Sequence, residues 1–206
     1  MLFRDRTDAG QKLAAKLEHL TAERPIILGL PRGGVPVAAQ VAKALDAPLD
    51  VIVVRKLGAP FNEEFAMGAI GDGVEVLNKE TIRSLGVTAE QVQRVRAREQ
   101  KELQRRLVRF RNGRPPLDLH GRTAVVVDDG IATGATARAA CEVVRALGAN
   151  RVVLAVPVAP PSFDPGDTSD EFVCLHRPAH FMAIGQWYTD FTQTTDDEVL
   201  HWLNTA

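Results

Sequence analysis

Val125-Val126-Val127-Asp128-Asp129-Gly130-Ile131-Ala132-Thr133-Gly134-Ala135-Thr136 is the stretch from which the architecture can be read. Three valines in a row predict a strand covered on both faces, as in a parallel sheet. Two carboxylates end the strand, small residues make a turn, and helical spacing runs from Thr136 to Leu147. Such a strand, turn and helix bring backbone N–H groups and the Thr133 and Thr136 hydroxyls together at the positive end of the helix dipole. Gly130, Ile131, Ala132, Thr133, Gly134, Ala135 and Thr136 therefore form a candidate phosphate cradle, and Gly134 and Ala135 put no bulk in its way. Asp128 and Asp129 stand just outside it, at the carboxyl end of the strand, where they can accept hydrogen bonds from vicinal hydroxyls. A phosphate site one step from a diol site describes ribose 5-phosphate. A ligand-free reading, with the acids as turn formers and the threonines as caps, uses the same residues.

Working outward, further apolar strands are expected at Ile26 to Leu30, Val51 to Val54 and Val152 to Val158, with another at Phe172 to Leu175. Helical spacing covers Gln11 to Leu20, Val35 to Leu45, Thr88 to Arg111 and Thr195 to Leu203. Strands alternating with helices predict an α/β fold: a mainly parallel twisted sheet flanked by helices. The expected organisation is a single domain over 1–206, with a core of about 24–175 and a small hood formed by the chain ends, about 1–20 plus 176–206.

Composition removes several classes. The chain has 206 residues and a formal net charge of -1, so no global field favours nucleic acid or a membrane surface. Cys141 and Cys174 lack neighbours at metal-ligand spacing and read as core residues. The N-terminus carries no apolar signal core, and the apolar runs are short, so a soluble cytoplasmic protein is expected. No Ser-His-Asp order or Walker A ending occurs, and Gly-x-Gly-x-x-Gly is missing too. The predicted long helix is crowded with Arg94, Arg96, Arg98, Lys101, Arg105, Arg106, Arg109 and Arg111. Glu90, Glu99 and Glu102 interleave, so a solvated face or a contact in a homo-oligomer competes with an anion or RNA surface, and nucleic acid is not the favoured partner.

The dodecapeptide resembles the 5-phosphoribosyl 1-diphosphate (PRPP) motif of the type I phosphoribosyltransferases. The resemblance spans Ile26 to Val158 and implies that Asp128 and Asp129 hold the ribose hydroxyls while the loop holds the 5-phosphate. Leu28-Gly29-Leu30-Pro31-Arg32-Gly33-Gly34-Val35-Pro36 is similar to the family's diphosphate loop, which often includes a cis peptide. Arg32 would supply a positive fork, and Gly33 and Gly34 a close backbone approach. Arg55 and Lys56 resemble a basic pair that contacts diphosphate, and Leu57 to Glu64 would be a mobile flap.

In the hood, Gly185 to Phe191 resembles the segment by which 6-oxopurine members hold their base. This implies stacking by Trp187, Tyr188 or Phe191 and a metal-side role for Asp190; a small core built from the same aromatics is the competing reading. Ala132 departs from those members, which carry an acid there, and matches the uracil-type ones instead. The resemblance implies transfer of the phosphoribosyl group from PRPP to a nitrogen acceptor, with Mg2+ held mainly by PRPP and Asp128, Asp129, Arg32 and Lys56 as the catalytic set. A non-catalytic PRPP-binding regulator is the alternative, and a PRPP synthase would need a second such domain.

Overall fold

In a computed structural model, which describes residues 1–205, five parallel strands form the main sheet in the order β2-β1-β6-β7-β8. These are β1 (Ile26–Gly29), β2 (Leu49–Val51), β6 (Thr123–Val127), β7 (Arg151–Val158) and β8 (Glu171–His176). Between β2 and β6 the chain builds a three-stranded antiparallel sheet from β3 (Arg55–Ala59), β4 (Asn62–Gly71) and β5 (Val74–Leu77). Six helices complete it: α1 (Arg6–Leu17), α2 (Gly34–Leu45), α3 (Lys79–Ser84), α4 (Ala89–Arg111), α5 (Ala135–Ala146) and α6 (Asp196–Thr205).

The period of two along β6 explains why both faces of the sheet are covered. Val125 and Val127 face the side packed by Leu13 and Leu17 of α1 and Val37 and Val41 of α2. Ala124 and Val126 face the other side, packed by Ala140, Val143 and Val144 of α5. Burying a valine of this kind contributes about 1.5–3 kcal/mol, so the apolar runs select the two-faced sheet strongly. α1 thus packs on the sheet, and of the N-terminal segment only Phe3 and Ala9 join Tyr188 and Val158 in the small cluster of the hood.

One expectation changes. The strand expected at Val51 to Val54 is shifted: β2 spans Leu49–Val51, and residues 52 to 54 lead into the next strand. The stretch from Leu57 to Glu64, expected as a mobile flap, forms the hairpin of β3 and β4, with register shifts at Gly58. Asn62 through Ala66 lie exposed at its tip, while Met67 through Gly71 are buried. Gly, Pro and Asn punctuation marks the turn, and the polar outer half of β4 hides the strand that continues inward.

A third core cluster joins the hairpin to the rest. Leu57, Met67 and Ile70 meet Val95, Leu103 and Phe110 of α4 and Val199 and Leu203 of α6. α4 starts with the capping box of Thr88 and Gln91, in keeping with the N-cap its sequence predicts at Thr88.

Candidate functional site

β1 and β6 are adjacent, paired from Ile26↔Ala124 to Gly29↔Val127. From β1 the chain turns towards β2 on one side, and from β6 towards β7 on the other. The carboxyl ends of β1 and β6 therefore flank the topological switch point, where open α/β sheets leave a crevice. Both motifs singled out from the sequence emerge there.

The segment after β1 bends over the end of β6. Leu30 N–H donates to the Val127 carbonyl at 2.9 Å, and the Pro31–Arg32 peptide is cis. Gly33 and Gly34 then lie so close to the acids that a side chain would collide. A Cβ at Gly33 would stand 2.0 Å from Asp129 Oδ2, and one at Gly34 2.5 Å from the Val127 carbonyl oxygen. The two loops share one crevice because glycine alone lets their backbones approach this closely.

Asp129 is buried, and its carboxylate accepts from Arg6 Nε at 2.8 Å. Asp128 accepts from the Asp129 N–H at 2.9 Å. Burial raises the pKa of both acids; the neighbouring Asp129 charge pushes Asp128 further up, and Arg6 partly offsets the rise at Asp129. Arg6 is not singled out by the sequence. It lies 123 residues from its partner, and one arginine opening an N-terminal helix carries no local signal. Its guanidinium also stacks 4.2 Å from the Phe191 ring centroid and donates to the Thr192 carbonyl at 2.7 Å.

The loop after the acids divides its labour. Ile131 is buried in the main core, and Gly134, at φ 81°, is covered by the Phe163 ring. Ala132, Thr133 and Thr136 are exposed, Ala135 is half-buried, and the N-cap Gly134 offers no side-chain acceptor to α5; the Ala135 N–H makes a long bond, 3.5 Å, to Thr133 Oγ1. The next N–H groups of the helix start are therefore available to an anion. Arg138 braces the turn by donating to the Thr133 and Asp164 carbonyls at 3.3 and 2.7 Å.

The basic residues part company. Lys56 and Arg55 line a pocket with Thr136 and Arg106, so the start of β3 does reach the turn that opens α5. Arg55 is engaged there by Glu99 of α4, at 2.7 Å from Nη2, and is a partner of that helix before it is a free cation. Arg32 reaches towards α6, 3.8 Å from Asp196 Oδ1, and faces Arg105, Arg106 and Arg109.

The hood residues differ from expectation. Tyr188 is 6% exposed, packs on Phe3 and Phe191, and donates its hydroxyl to the Asp129 carbonyl at 2.6 Å. It is a strut under the acid pair rather than an open stacking face. Trp187 sits edge-on to His176, 4.8 Å between centroids. Phe191 is half-buried, with Arg6 over its ring. Asp190, expected on the metal side, accepts from Thr192 N and Oγ1 at 2.9 and 2.6 Å and orders the hood turn. No group of three metal-ligating side chains occurs among the described residues. Cys141 is buried, with its thiol pushed up to about 12, which fits a core residue.

The fold and this crevice define an α/β protein that sets the glycine-containing turn and start of α5 beside a buried acid pair. The chain belongs to the phosphoribosyl transferase domain family, whose match covers residues 4–187. Two curated proteins of Mycobacterium tuberculosis, from strains CDC 1551 / Oshkosh and ATCC 25618 / H37Rv, are each 56% identical over 208 residues and are named, provisionally, as phosphoribosyl transferases. The alignment takes in 100% of this chain and 47% of theirs, so the chain spans about half the length of the curated relatives it matches. The crystal structure of the Thermus thermophilus protein TT1426 is 46% identical, with a TM-score of 0.92 over 98% of both chains. A hypothetical protein from Neisseria gonorrhoeae, solved with bound ppGpp, shares the fold at 12% identity, with a TM-score of 0.52 over 100% of this chain and 98% of that one.

Proposed function

We propose that the chain transfers the 5-phosphoribosyl group of PRPP to a nitrogen acceptor, releasing diphosphate. The observation that carries this reading is the close approach of Gly33 to the Asp129 carboxylate, because it brings the turn from Arg32 to Gly34 and the acid pair into one crevice. Membership in the phosphoribosyl transferase family supports it.

In this reading Asp128 and Asp129 accept the 2- and 3-hydroxyls of the ribose, and the turn from Gly130 to Thr136 receives the 5-phosphate on the uncapped start of α5. The backbone of Arg32 to Gly34, with Lys56 from β3, receives the diphosphate. The sugar's anomeric carbon becomes cationic as its bond to diphosphate lengthens, so the chain's contribution is positioning and charge stabilisation. Arg6 holds the Asp129 carboxylate in place for the ribose hydroxyls. The acceptor is expected between the crevice and the hood, with Phe191 and Trp187 as its apolar border.

Two carboxylates, one of them already matched by Arg6, suit a magnesium ion that takes most of its oxygen ligands from the substrate. Bound in that way, Mg2+ supplies charge neutralisation for the leaving diphosphate. The division into a core of about 24–175 and a hood at the chain ends belongs to the same proposal, with α1 counted to the core.

Calorimetric titration of PRPP with magnesium tests the reading, with Asp129→Asn alongside. Binding that the substitution abolishes is the expected result. Equal binding by both proteins would remove Asp129 from the site. A screen of nucleobases for diphosphate release then separates an enzyme from a PRPP-binding regulator.

A further inference from the structure

The arginine-rich face of α4 is turned towards the crevice. Arg105, Arg106 and Arg109 recur at helical spacing and, with Arg32, Pro31, Phe110 and Asp196, line a cavity of about 470 Å³. Four guanidinium groups face it. Two carboxylates answer them: Asp196, paired with Arg109 and 3.8 Å from Arg32, and Glu102, which takes Arg105 at 2.8 Å and Arg106 at 3.0 Å. Four positive groups against these two negative ones, with Asp197 a third beside Arg32 and Arg109, leave an excess of one positive charge on one small volume.

That excess is accessible. The side chains of Arg105 and Arg109 are 67% and 56% exposed, and those of Arg106 and Arg32 are 38% and 39% exposed. Each guanidinium carries five N–H donors in a planar fork, more than two carboxylates can satisfy, and that fork matches phosphate oxygens. Pro31 adds an apolar edge beside the buried Phe110, and the volume lies in the range of small-molecule sites, beyond what a single ion needs.

We propose that this cavity is a second anion subsite, which takes the diphosphate group of a small molecule and shares Arg32 with the diphosphate loop. It rests on the reading of Arg32 to Gly34 given above, and extends it to a helix that neither motif contains. Two sources carry this chemistry: the diphosphate released by the reaction, and a nucleoside diphosphate whose ring would rest against Pro31.

Calorimetry with inorganic diphosphate and with ADP, in magnesium buffer, decides the matter. Each probe is titrated into the free protein and into protein saturated with PRPP, for the unaltered chain, Arg105→Glu, Arg109→Gln and Asp129→Asn. Both probes are expected to bind the PRPP-saturated protein, and Arg105→Glu to weaken them about tenfold or more while PRPP affinity stays within about twofold, since Arg105 is exposed and outside the motifs. Tighter binding of ADP than of diphosphate identifies the nucleotide source; equal binding identifies the product. Failure of both probes to bind PRPP-saturated protein, or binding that neither arginine substitution alters, would overturn the subsite. Should PRPP itself not bind, the acid-pair reading falls, and probe binding to the free protein that survives Asp129→Asn but is lost in Arg105→Glu still establishes the subsite.

Discussion

Asp129 shows how its own fold holds a buried acid. Gly33 presses on its carboxylate, Tyr188 holds its carbonyl, and Arg6 is its one charged partner among the described residues. Both Arg6 and Asp129 side chains are only 12% exposed, so removing one member strands the other in a poor dielectric. Arg6→Gln is expected to cost about 3 kcal/mol of stability, and much less when Asp129→Asn is already present. Urea unfolding of the four proteins of this cycle measures the difference; additive losses would mean the pair is not coupled. Asp128 gives a second prediction through pH. Its folded pKa is raised, chiefly by burial and then by Asp129, so the folded state binds a proton that the unfolded state has released. Stability is therefore unaffected below the ordinary value of 3.8 and falls as pH rises above it towards the raised pKa. Asp128→Asn escapes this loss. It should melt higher than the unaltered protein at pH 7, by a margin that shrinks to nothing towards pH 4, while losing PRPP binding.

At the scale of elements, the crevice depends on how α2 starts against the end of β6. Gly34 meets the Val127 carbonyl and Asp128 Cα, both backbone atoms that cannot rotate away. Gly34→Ala should therefore cost about 1–3 kcal/mol and move the diphosphate loop off the acid pair, seen as a lower melting temperature together with weaker PRPP binding. α4 is anchored differently, by buried Glu99 between Arg55 and Arg98. Glu99→Ala is expected to cost about 3 kcal/mol by freeing Arg55, and denaturant unfolding would read it. These elements are unequally visible in the sequence. β1, β6 and β7 are legible because each is apolar apart from the first residues of β6 and β7, Thr123 and Arg151, and α4 because Thr88 caps it and an apolar stripe follows. The hairpin is not, since its exposed half looks like a loop until the buried half is seen to pair with β5. The two motifs are readable because each is local. Arg6 and Tyr188 do not read as partners of Asp129, because those contacts exist only once residues 123 and 59 positions away have folded onto it.

For the whole molecule, the question is whether the hood is a separate lobe or part of the crevice. Phe3 pairs with Tyr188, and Thr189 N–H donates to the Phe3 carbonyl at 2.8 Å, so the two chain ends clasp each other. The clasp reaches the site through the Tyr188 hydroxyl on Asp129 and the Arg6 bond to Thr192. A ligand that binds the acid pair should thus stabilise hood and core together. With PRPP and magnesium at about 100 times Kd, linkage adds about 2.7 kcal/mol, or about 5–10 °C in Tm for a chain of this size. Tyr188→Phe removes a buried donor from the Asp129 carbonyl and should lower the ligand-free Tm by the equivalent of about 1–2 kcal/mol. It keeps every ligand contact proposed above, so the increment due to PRPP should remain, in a single transition. Asp129→Asn should lose that increment altogether. A PRPP shift that survives Asp129→Asn, or a hood transition that separates from the main one when only Tyr188 is changed, would show that the crevice and the clasp are independent.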